Sequence, residues 1–200
     1  LSNGALILKG ETTSKKALSR LQDSLKYSQV NFKSEVRILP DSSLENRQFA
    51  IAKNSVINIR SNPKHSAELG TQGLLGMALR VLDKKGDFYR IQTPDNYISW
   101  VDKGGIQRMN KRDFDLWNAS KKVLFTNNAG QVFASKNKNS TIISDITLGG
   151  VLKYVSEDAS FYKVTYPDNR TGFIKKNEAI IYDSWLKNLK STPENIEVIA

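Results

Sequence analysis

A hairpin motif that occurs twice at a fixed distance is the feature of this sequence that most constrains its fold. The stretch FYRIQTPDNYISW, residues 88–100, returns as FYKVTYPDNRTGF, residues 161–173. With an offset of 73 residues, eight identities fall in register between residues 75 and 101, without a gap. Self-similarity over that distance indicates two copies of one small domain, because the units of solenoid proteins are shorter.

Each copy of the motif has the composition of two strands joined by a tight turn. Proline presets the backbone at the first corner, and Asp and Asn tolerate the conformations of the next corners. From about residue 35 the chain is a series of short β-branched segments separated by Pro, Asp, Ser and Asn. This pattern is typical of small all-β barrels or sandwiches.

Helical patterns flank the β-rich part of the sequence. Residues 12–29 are predicted to form a helix, with Thr13 or Ser14 as its N-cap. This helix could dock on the first domain; a membrane-surface helix has less support, because its apolar stripe is thin and lacks a large aromatic anchor. Residues 191–200, STPENIEVIA, have the pattern of a second helix start. The stripe of the first helix consists of Ala17, Leu18, Leu21 and Leu25.

Composition limits the functions that these residues can perform. There is no cysteine, which excludes disulfides, thiolate metal sites and a cysteine nucleophile. The single histidine, His65, leaves one possible base for serine-type catalysis, and neither a Gly-rich phosphate loop nor a metal-ligand spacing is present. We therefore expect no catalytic residue, no metal and no other cofactor in this chain.

Charge and hydropathy indicate the kind of partner and the compartment. A formal net charge of +10 favours anionic partners such as nucleic acid, lipid headgroups or acidic cell-wall polymers. No stretch approaches the roughly eighteen apolar residues of a membrane span, so we expect none. The chain opens LSNGALILKG, without an initiator methionine or a signal pattern, which favours an exported protein whose signal was removed.

Three longer stretches carry a resemblance to a known family. NIRSNPKHSAELGTQGLLG (58–76) precedes FYRIQTPDNYISWVD (88–102), and GVLKYVSEDASFYKVTYPDNRTGFI (150–174) follows the same plan. They resemble the N-terminal pair of bacterial SH3 (SH3b) domains of NlpC/P60 cell-wall peptidases. These enzymes are γ-D-glutamyl-L-diamino acid endopeptidases, common among Bacteroidetes. The resemblance covers roughly residues 36–190.

The resemblance implies an all-β fold of two tandem SH3-like small barrels, with an N-terminal helix and short connecting helices. In such enzymes the Cys and His that cleave the peptide bond lie in a later domain, so this chain resembles the non-catalytic front part of one. The implied parts are a helical segment (1–35), a first SH3b-like domain (36–110), a helical connector (111–119), a second SH3b-like domain (120–182) and a helical linker (183–200).

The resemblance also implies substrate-binding residues. In the resembled enzymes the first SH3b domain leans over the catalytic cleft and helps to recognise the free amino end of the stem peptide. Because that group is cationic, a carboxylate beside an aromatic wall is a fitting partner. Glu68 in PKHSAEL, with Tyr97 and Trp100 in NYISW, occupies the matching motifs. The counterpart of Tyr97 in the second copy is Arg170, and this difference favours a task for Tyr97 that is particular to the first domain. The counterpart of Trp100 is the similar residue Phe173, which indicates a core position shared by the two domains.

Other residues, and Glu68 itself, have a structural interpretation beside the functional one. Glu68 could be a solvated loop carboxylate. For His65, a hydrogen bond that fixes its loop is favoured over a metal site, because no acidic ligand set accompanies it. Trp117 and Trp185 each follow a β-domain in a short amphipathic stretch. They could stack on glycan, but their similar placement favours pinning a short helix against its own domain.

Three functions remain open at this point. The leading one is a non-catalytic SH3b pair, in the periplasm or cell envelope, that directs a cell-wall endopeptidase to the peptidoglycan stem peptide. Its partner in cis is an NlpC/P60 catalytic domain, if the gene continues. The second is a stand-alone binder of peptidoglycan or another cell-wall polymer. The third, a nucleic-acid-binding β-barrel protein, is disfavoured because the lysine pairs are spread over loops and strand ends, without one strip of exposed stacking aromatics.

The leading function assigns different tasks to the two copies. A single small barrel has little surface, so duplication allows one copy to face a catalytic cleft while the other braces the linker. We expect residues 36–110 to carry recognition and residues 120–182 to act as the spacer.

Overall fold

Nearly half of the residues that the computed structural model describes, 6–137 and 140–189, lie in strands. Two antiparallel sheets of seven strands each follow a small two-stranded sheet. The all-β class expected from the sequence is thereby confirmed. Within the described residues, no helix has the length and apolar character needed to pass through a bilayer. The helix start expected at residues 191–200 lies outside this part of the chain.

A βαβ unit precedes the two large sheets. The helix predicted at residues 12–29 is confirmed, and the Ser14 hydroxyl caps it by accepting a hydrogen bond from the Ala17 amide at 3.1 Å. None of the helical residues is buried. The two flanking strands pair in parallel, so the first β-branched segment after residue 35 joins this unit and not a large sheet. The elements are β1 (Leu6–Thr12), α1 (Lys15–Tyr27) and β2 (Phe32–Ile38).

The first large sheet consists of short segments in which apolar and polar residues alternate. In VINIR, Ile57 and Ile59 lie in the core, whereas Val56 and Asn58 are exposed. The strands are β3 (Phe49–Ala52), β4 (Val56–Arg60), β5 (Leu69–Leu74), β6 (Ala78–Lys85), β7 (Phe88–Gln92), β8 (Ile98–Asp102) and β9 (Ile106–Met109). Their spatial order is β5-β4-β8-β7-β6-β3-β9.

Helix α2 (Lys111–Ala119) follows the first sheet and packs on β3. Asn110 caps it, because the Asn110 side-chain oxygen accepts a hydrogen bond from the amide of Asp113 at 2.9 Å. Trp117 is only 7% exposed and packs with the buried residues Ile51 and Met109. This burial supports the interpretation that Trp117 pins its helix against its own domain.

The second large sheet repeats the arrangement of the first. Its strands are β10 (Lys122–Phe125), β11 (Ala129–Phe133), β12 (Ile142–Thr147), β13 (Val151–Glu157), β14 (Phe161–Thr165), β15 (Thr171–Lys175) and β16 (Ala179–Ile181). Their spatial order is β12-β11-β15-β14-β13-β10-β16. Helix α3 (Tyr182–Asn188) comes next, and Trp185 in it is half-buried and contacts the ring of Tyr182.

Every strand of the second sheet corresponds to one of the first at the offset of 73 residues. The backbone conformations agree as well. Asn96 and Asn169, the last residues of the two Pro-Asp-Asn turns, have φ angles of 70° and 69°. Gly76 and Gly149, which lie in the turns before β6 and β13, have φ angles of 87° and 83°, a region that favours glycine. Equivalent residues therefore build equivalent turns.

Neither sheet closes into a complete ring of hydrogen-bonded strands. Among the described residues, β5 and β9 are the outer strands of the first sheet and β12 and β16 those of the second. Register shifts at Val81–Asp83 and at the equivalent Tyr154–Ser156 bend the two sheets. The closure expected of two small barrels is therefore not seen in the strand pairing. Closure would depend on short outer strands that lie far apart in the chain, which local sequence patterns do not specify.

The two units are joined through one buried leucine. Leu75 belongs to the first unit, yet it is 1% exposed and lies in the core cluster of the second, with Val123, Leu152 and Tyr162 among its members. The carbonyl oxygen of Leu75 accepts a hydrogen bond from the amide of Val151 at 2.9 Å. The two large sheets are thereby coupled through a shared core.

An ionic cluster attaches the βαβ unit to the first large sheet. The guanidinium of Arg37 in β2 donates to Glu11 at 3.0 Å, to Asp41 at 3.0 Å and to Asp83 of β6 at 2.9 Å. Arg90 of β7 also donates to Glu11. Because acids and arginines from three parts of the chain alternate here, the cluster acts as a network and not as an isolated surface pair.

Replacing Leu75 with alanine is expected to destabilise the protein by about 2–5 kcal/mol, because it leaves a cavity in the core of the second unit. The matched control is Leu148→Ala, since Leu148 stands at the equivalent position of the second unit but is 51% exposed. That change should cost less than about 0.5 kcal/mol. Urea unfolding followed by tryptophan fluorescence measures both. Equal losses would show that Leu75 does not couple the two units.

Arg37→Gln is expected to loosen the βαβ unit, with a loss of about 1 kcal/mol that amide hydrogen exchange in β2 would detect. Lys33→Gln is the control, because Lys33 pairs only with Glu35 on the surface.

Acid should have the same effect as Arg37→Gln. Hydrogen bonds from Ser43 and from Arg37 lower the pKa of Asp41 from 3.8 to about 2. Its contribution is therefore present above about pH 4 and is lost as the pH falls through 2. Unchanged exchange in β2 in both cases would contradict the role of the cluster.

Candidate functional site

The loop between β4 and β5, residues 61–68, is held by its own backbone and by side chains of neighbouring strands. The guanidinium of Arg60 donates to the carbonyl oxygen of Ala67 at 2.8 Å, and the amide of Ser61 donates to the carbonyl of Glu68 at 3.0 Å. These contacts fix the backbone on both sides of the PKHSAEL segment, so that Glu68 stands at a defined position before β5.

His65 adds a further tie to this loop. Its Nε2 atom lies 3.5 Å from a carboxylate oxygen of Asp102 at the end of β8, and its ring centroid is 5.0 Å from that of Phe88. Within residues 6–137 and 140–189, no three His, Asp or Glu side chains form a group that could hold a metal ion. The contact with Asp102 therefore gives His65 a part in positioning the loop.

Tyr97 reaches the beginning of β5 from the turn before β8. The amide of Asn96 donates to the carbonyl oxygen of Thr93 at 2.9 Å, and the amide of Thr93 donates to that of Tyr97 at 3.0 Å, which closes the turn. Tyr97 is 40% exposed, and its hydroxyl group lies where a Cβ atom would stand on Gly70. The missing side chain of Gly70 thus makes room for the phenol.

Glu68 and Tyr97 lie at the same end of the first sheet, since the Tyr97 hydroxyl reaches Gly70 and Glu68 precedes Gly70 by two residues. Glu68 is exposed, and its carboxylate has no hydrogen bond or ion pair with any of the residues described. The result is an open surface, here called the Glu68–Tyr97 surface, formed by a free carboxylate, a phenol and the backbone at Gly70. Such a surface suits a small cationic group, which a carboxylate and an aromatic ring both attract.

Trp100 lies in a different row of side chains. It is half-buried on β8, opposite Arg90 of β7 and Arg60 of β4. Its counterpart Phe173 is likewise half-buried, and the ammonium group of Lys136 lies 5.6 Å from its ring centroid. Both positions are therefore aromatic and next to cations, although neither is as deeply buried as a shared core position implies.

The second unit does not reproduce the Glu68–Tyr97 surface. The counterparts of Glu68, Gly70 and Tyr97 are Thr141, Ile143 and Arg170. Ile143 is an isoleucine packed against the core, so the space that Gly70 leaves open is filled. The aligned repeats carry the signal of this difference, since a glycine in the first stands opposite a β-branched residue in the second.

Arg170 is held by contacts within and between the units. Its guanidinium donates to the carboxylate of Asp168 at 2.9 Å and lies 4.4 Å from the ring centroid of Tyr166. It also donates to the carbonyl oxygen of Lys53 in the first unit at 3.4 Å. In the second unit, the position equivalent to Tyr97 is thus occupied by an arginine whose side chain is held by its own turn and by the first unit.

The residues that build the Glu68–Tyr97 surface belong to a recognised domain type. Residues 59–106 match the family model of the bacterial dipeptidyl-peptidase SH3 domain. The match includes Glu68, Gly70 and Tyr97. This part of the chain, about a quarter of its length, is therefore similar to a bacterial SH3 domain. The 200 residues contain no cysteine.

Two solved structures share the fold over a longer part of the chain. An NlpC/P60 family protein from Bacillus cereus ATCC 10987 aligns over 67% of this chain and 56% of its own, with 20% identity and a TM-score of 0.57. An NlpC/P60 endopeptidase from Photobacterium damselae subsp. piscicida aligns over 84% of this chain and 39% of its own, with 11% identity and a TM-score of 0.50. No curated protein matches the sequence. The resemblance to the SH3b part of an NlpC/P60 protein is confirmed, and the chain spans about half or less of these two proteins.

Gly70→Ala is expected to displace the Tyr97 ring and to lower the free energy of unfolding by about 1–3 kcal/mol, because the added Cβ overlaps the phenol oxygen. A double-mutant cycle with Tyr97→Ala isolates this contact. In the Tyr97→Ala background the Gly70→Ala change should cost little, since the overlap is gone. Chemical denaturation of the four proteins measures the effect, and an equal cost in both backgrounds would rule out the contact.

Proposed function

We propose that the chain is the non-catalytic specificity part of a cell-wall endopeptidase of the NlpC/P60 type. In this proposal the two sheets are two copies of an SH3-like unit, exported to the periplasm or cell envelope. The observation that carries the proposal is the Glu68–Tyr97 surface, which lies within the residues that match a bacterial SH3 domain. Its free carboxylate and exposed phenol are the groups that a cationic peptide terminus requires.

The ligand in this proposal is the peptidoglycan stem peptide with a free amino end. An ammonium group would donate hydrogen bonds to the Glu68 carboxylate and lie against the ring of Tyr97. Such a charge-assisted contact is stronger than a neutral hydrogen bond. An acylated amino end carries no charge and would lose both interactions, so the surface would select peptides whose amino end is free.

The two copies have different tasks in this proposal. The first carries recognition, and the second is a spacer that fixes the position of the first. Three differences support the division: Thr141 replaces the carboxylate, Ile143 fills the space beside it, and Arg170 is engaged with the first unit. A catalytic domain of the NlpC/P60 type in cis is the partner, and the Glu68–Tyr97 surface would extend its substrate cleft.

The test is the affinity of the chain for a stem tripeptide, L-Ala-γ-D-Glu-diaminopimelate, measured by calorimetry or NMR titration. Glu68→Gln is expected to weaken binding by about tenfold or more, because it removes a charged hydrogen-bond acceptor. Tyr97→Phe keeps the ring, so a smaller loss is expected.

Two controls sharpen this test. Arg170→Gln changes the equivalent position of the second unit and should leave the affinity unchanged. The N-acetylated tripeptide should bind far more weakly than the free one. If Arg170→Gln costs as much as Glu68→Gln, or if acetylation has no effect, the proposed recognition of the amino end is wrong.

A further inference from the structure

A cleft with a volume of about 440 Å³ lies between the two units. Small-molecule sites are usually of this size, roughly 300–1,000 Å³. One wall comes from the end of β9 and from α2, and the other from Lys153, residues 165–167 and Asn169, at the end of β14 and in the turn after it. The cleft contains neither Glu68 nor Tyr97 and is therefore separate from the surface considered above.

Positive charge dominates this cleft. Its lining includes Arg47, Arg108 and Lys153 but only one acid, Asp113. In the described part of the chain, none of these three cations has a carboxylate within 4.0 Å, although thirteen Lys or Arg ion pairs are found elsewhere. The cleft therefore presents uncompensated cations to solvent.

Neutral acceptors hold the half-buried guanidinium of Arg108. It donates to the carbonyl oxygens of Leu44 at 2.7 Å and Arg47 at 2.8 Å, and to the hydroxyl of Tyr89 at 3.2 Å. Since none of these groups is charged, the positive charge of Arg108 remains uncompensated beside the cleft. Arg108 is thus a fixed source of positive potential, whereas Arg47 and Lys153 have exposed side chains that are available to a ligand.

A neighbouring lysine is subject to the same positive field. The pKa of Lys122 is lowered from 10.5 to about 8, mainly by burial and additionally by the charge of Lys153. The single acid of the cleft is already engaged, because the side-chain amide of Asn110 donates to the Asp113 carboxylate at 3.0 Å. An anion entering the cleft would therefore meet net attraction.

The remaining lining is suited to hydroxyl groups. The side chains of Gln107, Asn169 and Thr165 can each donate and accept hydrogen bonds, as sugar hydroxyls do. The two aromatic residues of the lining, Trp117 and Tyr166, are buried, so no exposed ring is offered for the base stacking on which single-stranded nucleic-acid binding relies.

We propose that the cleft between the two units binds an acidic glycan, a saccharide chain that carries carboxylates. Arg47 and Lys153 contact the carboxylate, and the amide and hydroxyl groups of the lining contact the sugar hydroxyls. The source of the glycan follows from the proposed function: cell-wall strands from which stem peptides have been removed carry a free lactyl carboxylate on every second sugar. The second unit then supplies one wall of a binding site in addition to acting as a spacer.

The experiment titrates the chain with peptide-free glycan strands prepared by amidase digestion, and compares them with neutral chitohexaose and with poly-L-glutamate. Arg47→Gln and Lys153→Gln should each weaken binding of the acidic strands by about tenfold, the effect of losing one charged hydrogen bond. Asp113→Asn should strengthen it by about threefold, because it removes the only acid. Lys85→Gln is the matched control, an exposed lysine on the β6–β7 hairpin that lies outside the cleft.

Each outcome decides for or against the acidic-glycan cleft. Tight binding of the acidic strands, little binding of chitohexaose and the expected order of variants support it. No binding of the acidic strands, an equal loss with Lys85→Gln, or poly-L-glutamate binding with the same variant order overturns it. Glu68→Gln should not alter glycan affinity. If the stem tripeptide binds and the glycan does not, the inference fails while the proposed function stands; if the glycan binds and the tripeptide does not, the reverse holds.

Discussion

The burial of Leu75 is the contact on which the arrangement of the rest of the chain depends. A leucine from the first unit completes the core of the second, so that the cost of separating the units includes exposing that side chain to water. The backbone hydrogen bond from Val151 to the same residue fixes the direction of approach. Both the cleft between the units and the engagement of Arg170 with Lys53 require this placement.

Duplication has given two units with one backbone plan and different surfaces. Where the first unit has a glycine, Tyr97 can lie across the end of the sheet and a carboxylate beside it stays free. Where the second has isoleucine, that space is filled, and the arginine in place of the tyrosine contacts its own turn and the neighbouring unit. The difference in side-chain volume between residues 70 and 143, together with the exchange of Tyr97 for Arg170, thus separates an open surface from a packed one.

Much of this structure could be predicted from the sequence, because the decisive patterns are local. The Pro-Asp-Asn turns, the alternation in segments such as VINIR and the N-cap at Ser14 each involve a few neighbouring residues. The strand β1, its parallel pairing with β2 and the place of Leu75 in the other unit's core involve residues distant in the chain, for which a single sequence gives no signal. The choice of Glu68 and Tyr97 as candidate site residues rests on the family resemblance. The aligned repeats show glycine opposite isoleucine at residues 70 and 143, whereas the contact of Tyr97 with Gly70 requires the three-dimensional structure.

The contact made by Leu75 also has a direction. Leu75 of the first unit enters the core of the second, but Leu148, its equivalent, is 51% exposed. The equivalent turns nevertheless face each other, because a Cβ atom on Gly76 would meet Val151 and one on Gly149 would meet Leu74. Like turns therefore meet at an interface to which only one of them contributes a buried leucine. The two units are thus not interchangeable at this interface, since one donates the side chain and the other receives it.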